Sequence, residues 1–93
     1  MDEPFSRPAA RTLIRKILLD GEVTFSTHAL DEMEIDQLER TDCLNVLRGG
    51  VVEFEEMIKG TWRYRVRTPR ITVVIAFRSE EELRVITGWR NKT

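Results

Sequence analysis

The chain has 93 residues with 41% hydrophobic and 33% charged side chains, which predicts one globular domain over residues 1–93 and excludes disordered, collagen-like and membrane-spanning proteins. A single cysteine, Cys43, excludes an internal disulfide, and the acidic start Met1–Pro4 lacks the apolar core of a secretory signal, so we expect a cytoplasmic protein. Residues 1–60 carry a net charge of −6 and residues 61–93 a net charge of +5, so we expect a polyanionic partner to bind the second half.

The first predicted helix begins near Ser6 or Arg7 and places Pro8 in its first turn, where the missing N–H has no cost. Gly21 is a typical residue just past a helix end. The apolar residues between them recur at the spacing of one buried helix face, at Leu13, Ile14, Ile17 and Leu18.

Two further helices are predicted after a short extended piece at residues 23–25. Ser26 or Thr27 caps the second helix, and Thr41 caps a short third helix that ends at Gly49 and Gly50. The buried positions that this assignment predicts are Ala29, Leu30, Met33, Cys43, Leu44 and Leu47.

From residue 51 onwards the apolar period changes to that of strands. Extended segments are predicted at 51–57, 61–68, 71–78 and 84–90, with turns at 59–60, 69–70 and 79–82. Helices followed by an antiparallel meander predict an α+β fold. In it, two to three N-terminal helices (about 6–49) pack on an antiparallel four- to five-stranded sheet (about 51–90).

Residues 62–67 alternate between apolar and basic side chains, so Trp62 and Tyr64 face one side of the sheet and arginines face the other. A tight turn at residues 69–70 pairs this strand with the next in a register that keeps the apolar side chains together. That register pairs Arg63 with Ala76, Arg65 with Val74 and Arg67 with Thr72. The polar face then carries a compact cluster of Arg63, Arg65, Arg67, Thr72 and Arg78.

This arginine cluster has two interpretations. It is either a solvated sheet face whose counter-ions are acidic side chains from the first half, or a phosphate-binding face, for which the bidentate guanidinium is well suited. In the phosphate-binding interpretation, the aromatic rings of Trp62, Tyr64 and Trp89 are candidates for stacking on the bases of a nucleic acid. The alternation favours core positions for Trp62 and Tyr64, whereas the turn at 79–82 leaves the side of Trp89 open.

His28 is the only histidine and lies at the start of the second predicted helix. It is either a structural or surface histidine, or a general acid or base, since histidine is the side chain that changes charge near neutral pH. One histidine and one cysteine do not make a typical zinc site, and no phosphate-cradling glycine loop is present, so we expect no metal and no cofactor. The position of Cys43 on a buried helix face predicts an inert thiol.

Several short motifs occur in an order that resembles a small bacterial and archaeal domain of unknown function. They are His28–Met33, Asp42–Gly50, Tyr64-Arg65, Val73–Ala76 and Ile86–Arg90, and the resemblance covers about residues 24–90. That family is similar to the MqsR and RelE toxins of the barnase–EndoU–colicin–RelE fold. The chain departs from the family pattern at Glu32, where an arginine is usual, and at Asp36-Gln37, where an Arg-Gly pair is usual.

The resemblance implies a metal-independent ribonuclease, an mRNA interferase, that is neutralised by a cognate antitoxin encoded beside it. In such a reaction the 2′-hydroxyl of RNA attacks the adjacent phosphorus, which requires proton transfer and positive charge. His28 is the candidate base or acid, Arg65 the phosphate stabiliser, and Tyr64 or an arginine the second proton-transfer group. The candidate RNA-binding residues are Arg63, Arg67, Arg78, Thr87 and Arg90, of which Thr87 and Arg90 follow from the resemblance.

Two other classes of function fit the same arginine cluster. The first is a module that binds RNA without cleaving it. The second is a protein-interaction domain whose arginines are covered by the carboxylates of a partner.

Overall fold

The computed structural model describes residues 1–92, in which N-terminal helices pack on a six-stranded, mostly antiparallel sheet. The predicted α+β class is therefore confirmed. No helix among these residues has the length and apolar character needed to cross a membrane. The elements in chain order are α1 (Arg7–Asp20), β1 (Glu22–Phe25), α2 (Thr27–Ile35), α3 (Arg40–Gly49), β2 (Val51–Val52), β3 (Glu56–Ile58), β4 (Thr61–Arg67), β5 (Ile71–Phe77) and β6 (Glu82–Arg90).

The strand order is β1-β6-β5-β4-β2, and β3 also pairs with β4. Two features differ from the sequence prediction of four to five antiparallel strands. The short piece β1 joins the sheet, parallel to β6, with Glu22 opposite Glu82. The single extended segment predicted at 51–57 is wrong, because β2 and β3 are separate strands that pair with opposite ends of β4, at Arg67 and Arg63.

The helix caps explain where the chain turns. The Ser6 side chain accepts from the N–H of Ala9 at the start of α1, and the N–H of Gly21 donates to Ile17 at its end. At the start of α2, Ser26 accepts from the N–H of Ala29. The prediction that Thr41 caps α3 is wrong, because the cap residue is Glu39.

The core lies between the helices and one face of the sheet. Of the predicted helix stripes, Ile14, Ile17, Ala29, Met33, Cys43 and Leu47 are buried. The prediction of full burial is wrong for Leu13, Leu18, Leu30 and Leu44, which are only partly buried, whereas Val46 is buried and was not predicted. The sheet contributes its alternate residues, among them Tyr64, Val66, Val73, Ile75, Leu83 and Val85. Burial, with the negative charge of Asp42, raises the pKa of the Cys43 thiol to about 11, so the thiol stays protonated and unreactive at neutral pH.

Candidate nucleic-acid interface

The outer face of the sheet, which is turned away from the helices, carries most of the predicted arginine cluster. Arg65 lies opposite Val74 and Arg67 opposite Thr72, which confirms the predicted register of β4 and β5. Val74 in turn lies opposite Thr87 on β6. A row of side chains from Arg65 to Thr87 therefore crosses three strands of this face.

A β-bulge in β6 decides on which face Trp89 lies. Ile75 pairs with Val85 but Val74 pairs with Thr87, so Ile86 is one extra residue in the strand. The extra residue reverses the alternation beyond it, and Trp89, opposite Thr72, joins the outer face. Thr87 shares that face for the same reason.

Beside this row the outer face holds a cavity of about 380 Å³, here called the Trp89 pocket. The short strand β3 forms one of its walls, because Glu56 lies opposite Arg63 on β4. The Arg65 guanidinium lies 5.5 Å from the centroid of the Trp89 ring, within the range of a cation–π interaction. The lining residues are Glu53, Phe54, Glu56, Ile58, Arg63, Arg65, Val74, Thr87 and Trp89.

A second cavity of about 320 Å³ adjoins the first, and Arg63 lines both. It brings in Arg78 from the end of β5 and Arg84 from β6. We call the two cavities together the basic groove. Its guanidinium groups belong to Arg63, Arg65, Arg78 and Arg84.

The counter-ion interpretation of these arginines holds at one position. Within residues 1–92 the structure contains one ion pair, between Arg67 and Glu53 at 3.8 Å, and both side chains are partly exposed, so the pair adds little stability. Arg65 and Arg78 are exposed and form no such pair in that part of the chain. The groove therefore presents positive charge that the described protein side chains leave available.

His28 lines neither cavity of the basic groove. It is exposed in the first turn of α2, which Ser26 holds against β6 by donating its N–H to Val85 and its hydroxyl to Ile86, each at 3.0 Å. Arg65 lies two strands away on β4, a backbone distance of about 10 Å from β6 at the usual strand spacing. The start of α2 is therefore held to β6, the strand that supplies Thr87 and Trp89 to the groove.

Tyr64 points to the opposite face of the sheet and is only 1% exposed. Its hydroxyl donates to the Glu3 carboxylate at 2.8 Å and accepts from the N–H of Phe5 at 3.0 Å. Burial raises the pKa of this hydroxyl far above its usual range. The predicted catalytic role of Tyr64 has no support in this position, which instead ties the N-terminal segment to the sheet.

We expect Tyr64→Phe to lower the free energy of unfolding by about 1 kcal/mol, because it removes two hydrogen bonds and leaves the Phe5 N–H without its partner. Urea unfolding at pH 7 measures this loss. If Tyr64 acted in catalysis, the same variant would lose RNA cleavage out of proportion to its stability.

Two other predicted RNA-binding residues lie outside the basic groove. Arg67 pairs with Glu53, as described above. Arg90 fastens the end of α2 to β6: its backbone N–H donates to the Asp36 carboxylate, and its guanidinium donates to the carbonyls of Asp36 and Gln37. The contacts of Arg90 are those of a structural residue.

Sequence reasoning also missed groove residues. Arg84 was not included in the predicted cluster. It lies on the outer face because it pairs with Ala76 of β5, and the sequence did not predict the register of β6 on β5. Phe54 and Glu56 both fell within the single extended segment predicted at 51–57 and were not assigned to a site. Their role as a cavity wall depends on the break between β2 and β3, for which the composition gives no strong signal.

Comparisons with known proteins add no family assignment. No protein-family model, no curated protein and no solved structure matches the chain. Over residues 1–92, no group of three or more histidine, cysteine, aspartate or glutamate side chains is arranged to hold a metal ion. The basic groove is therefore the feature of the described residues that points to a function.

Proposed function

We propose that the protein binds single-stranded RNA in the basic groove and cleaves it without a metal ion. The observation that carries the proposal is the gathering of Arg63, Arg65, Arg78 and Arg84 on one sheet face beside Trp89. Guanidinium forks bind phosphate oxygens bidentately, and an accessible aromatic ring stacks on an unpaired base. Single strands offer both features, whereas the bases of a duplex are stacked on each other.

The cleavage part of the proposal depends on where His28 lies. In the reaction, the 2′-oxygen bonds to the adjacent phosphorus and the bond to the 5′-oxygen breaks, which leaves a 2′,3′-cyclic phosphate and a 5′-hydroxyl. His28 accepts the proton of the 2′-hydroxyl, and solvent supplies a proton to the leaving oxygen. Arg65 stabilises the negative charge that develops on the phosphorane oxygens. The support for this role is that the His28 imidazole is exposed and that the first turn of α2, which carries it, is held to β6, the strand that supplies Thr87 and Trp89 to the groove.

The test is cleavage of an end-labelled single-stranded RNA in the presence of EDTA. We expect His28→Ala to slow cleavage by about 100-fold or more while RNA affinity changes little, because the imidazole acts on the proton and not on the phosphate charge. A substrate with a 2′-deoxy sugar at the cleaved position should bind and remain intact.

Two outcomes of this assay separate the parts of the proposal. If the wild-type protein binds the RNA in a salt-dependent manner without turnover, the cleavage part is overturned and an RNA-binding module remains. If His28→Ala cleaves as fast as the wild type, His28 is not the proton-transfer group.

The proposal extends to a type II toxin–antitoxin pair. A cognate antitoxin that presents carboxylates would cover the exposed arginines of the groove and block RNA, since opposite charges on the two partners steer and align such complexes. Expression of the wild-type chain should then inhibit growth, and an acidic protein encoded beside it should relieve that inhibition. Growth unaffected by expression would contradict the toxin role.

A further inference from the structure

We propose that the Trp89 pocket takes a guanine base of the bound RNA, so that the protein recognises single-stranded RNA containing guanine. This inference rests on the proposed function, because the base enters as part of a strand held in the basic groove. Both the shape of the cavity and the hydrogen-bonding groups on its walls suit such a base.

The cavity has the size and lining that suit a flat bicyclic base. Its volume of about 380 Å³ is in the range of small-molecule sites, and the side chains of Ile58 and Val74 give it apolar surface. Phe54 also lines it and is 72% exposed, which is unusual for so large an apolar side chain. The Arg7 guanidinium lies 4.4 Å from the centroid of the Phe54 ring. Phe54 and Trp89 thus provide aromatic surface on which a purine can stack.

The polar groups of the cavity include a hydrogen-bond acceptor and a donor at paired positions of two neighbouring strands. Glu56 on β3 lies opposite Arg63 on β4, and both line the cavity. Glu56 is exposed and has no ion-pair partner within 4 Å among residues 1–92. The Nε of Arg63 is buried and has no hydrogen-bond partner in the part of the chain that the structure describes. A buried donor without a partner is costly, and a ligand that supplies an acceptor would remove that cost.

Guanine is the RNA base whose edges match this pair best. Its N1–H and N2–H₂ groups are adjacent donors, which suit the two oxygens of a carboxylate. Its O6 and N7 are adjacent acceptors, which suit a guanidinium fork. Adenine lacks the adjacent pair of donors, and the pyrimidines are smaller and lack N7. The combination of Glu56, Arg63 and two aromatic rings therefore favours guanine over the other three bases.

The experiment measures the affinity for fluorescent RNA nonamers that consist of uridine except for one central guanosine, inosine, adenosine, cytidine or uridine. We expect the guanosine nonamer to bind at least about tenfold more tightly than the adenosine, cytidine and all-uridine nonamers. Inosine, which lacks the N2 amino group, should lose much of that preference. Glu56→Gln should bring the ratio of guanosine to adenosine affinity close to one.

Glu55→Gln is the matched control, because it removes the same charge from the neighbouring residue. Glu55 does not line the cavity, and its charge acts on Tyr64 at the opposite face, so this variant should keep the guanosine preference. A preference lost equally in both variants would show a general charge effect and overturn the assignment of Glu56.

The outcomes separate this inference from the function on which it rests. Equal, salt-dependent affinity for all nonamers would overturn the guanine pocket and leave RNA binding in place. No binding of any nonamer would overturn both. Guanosine monophosphate that binds as tightly as the guanosine nonamer would assign the pocket to a free nucleotide and overturn its role in recognising RNA.

Discussion

Replacing Arg65 and Arg78 together with alanine is expected to lower the affinity for single-stranded RNA about 100-fold. Both side chains are exposed in the basic groove, one in each of its cavities. A hydrogen bond to a charged group contributes roughly 1.5 kcal/mol, and about 1.4 kcal/mol corresponds to a tenfold change in affinity. The loss of two phosphate contacts should also reduce the slope of log affinity against log salt by about 1.4. Fluorescence anisotropy across a salt series measures both quantities.

The matched control is the double variant of Arg15 and Arg48 to alanine. These arginines are exposed on α1 and α3, so the variant removes the same net charge from the helical side of the molecule. If the two double variants lose affinity equally, binding depends on net charge alone and the groove has no special role.

Gly50→Ala is expected to destabilise the fold by about 2 kcal/mol. Gly50 is buried where α3 turns into β2, and an added Cβ would lie 2.6 Å from the Val46 carbonyl oxygen and 2.9 Å from that of Arg67. Both contacts are with backbone atoms, so α3 and β4 would have to move apart, and overpacking of this kind costs about 1–3 kcal/mol. The Arg11 guanidinium donates to the Gly50 carbonyl, so the same displacement would disturb α1 as well. The midpoint of thermal unfolding should fall by about 10 °C.

Gly49→Ala tests whether this loss comes from the close approach of the backbone. Gly49 is the last residue of α3, and an added Cβ there would meet no atom of residues 1–92 within 4 Å. Alanine favours a helix over glycine, so this neighbour should leave the protein as stable as the wild type or slightly more stable. Equal destabilisation by both variants would refute the steric explanation for Gly50.

Local signals in the sequence were sufficient for most of the secondary structure and for the arginine face. The alternation at residues 62–67 and the turn at 69–70 predicted the register of β4 on β5, because a slip by one residue would have placed arginines in the core. Ser6 and Gly21 likewise mark the two ends of α1 by local hydrogen bonding.

The features that the sequence did not reveal are those that depend on distant segments. The parallel pairing of β1 with β6 joins residues 60 positions apart, from Glu22 to Glu82, and no local pattern indicates it. The bulge at Ile86 adds one residue and thereby decides the face of Trp89. The N-terminal segment covers Tyr64 through Glu3 and Phe5, which is why the hydroxyl of Tyr64 is satisfied in the core and not in the groove.

The position of β6 in the strand order has a consequence for synthesis in the cell. This strand is the last of the sheet along the chain, yet it lies between β1 and β5 and carries Thr87 and Trp89. A nascent chain that has not yet been extended through β6 therefore lacks the strand that joins β1 to the rest of the sheet. It also lacks the wall of the Trp89 pocket that Thr87 and Trp89 form. Until translation has completed this strand, the growing polypeptide can form neither the finished sheet nor the Trp89 pocket.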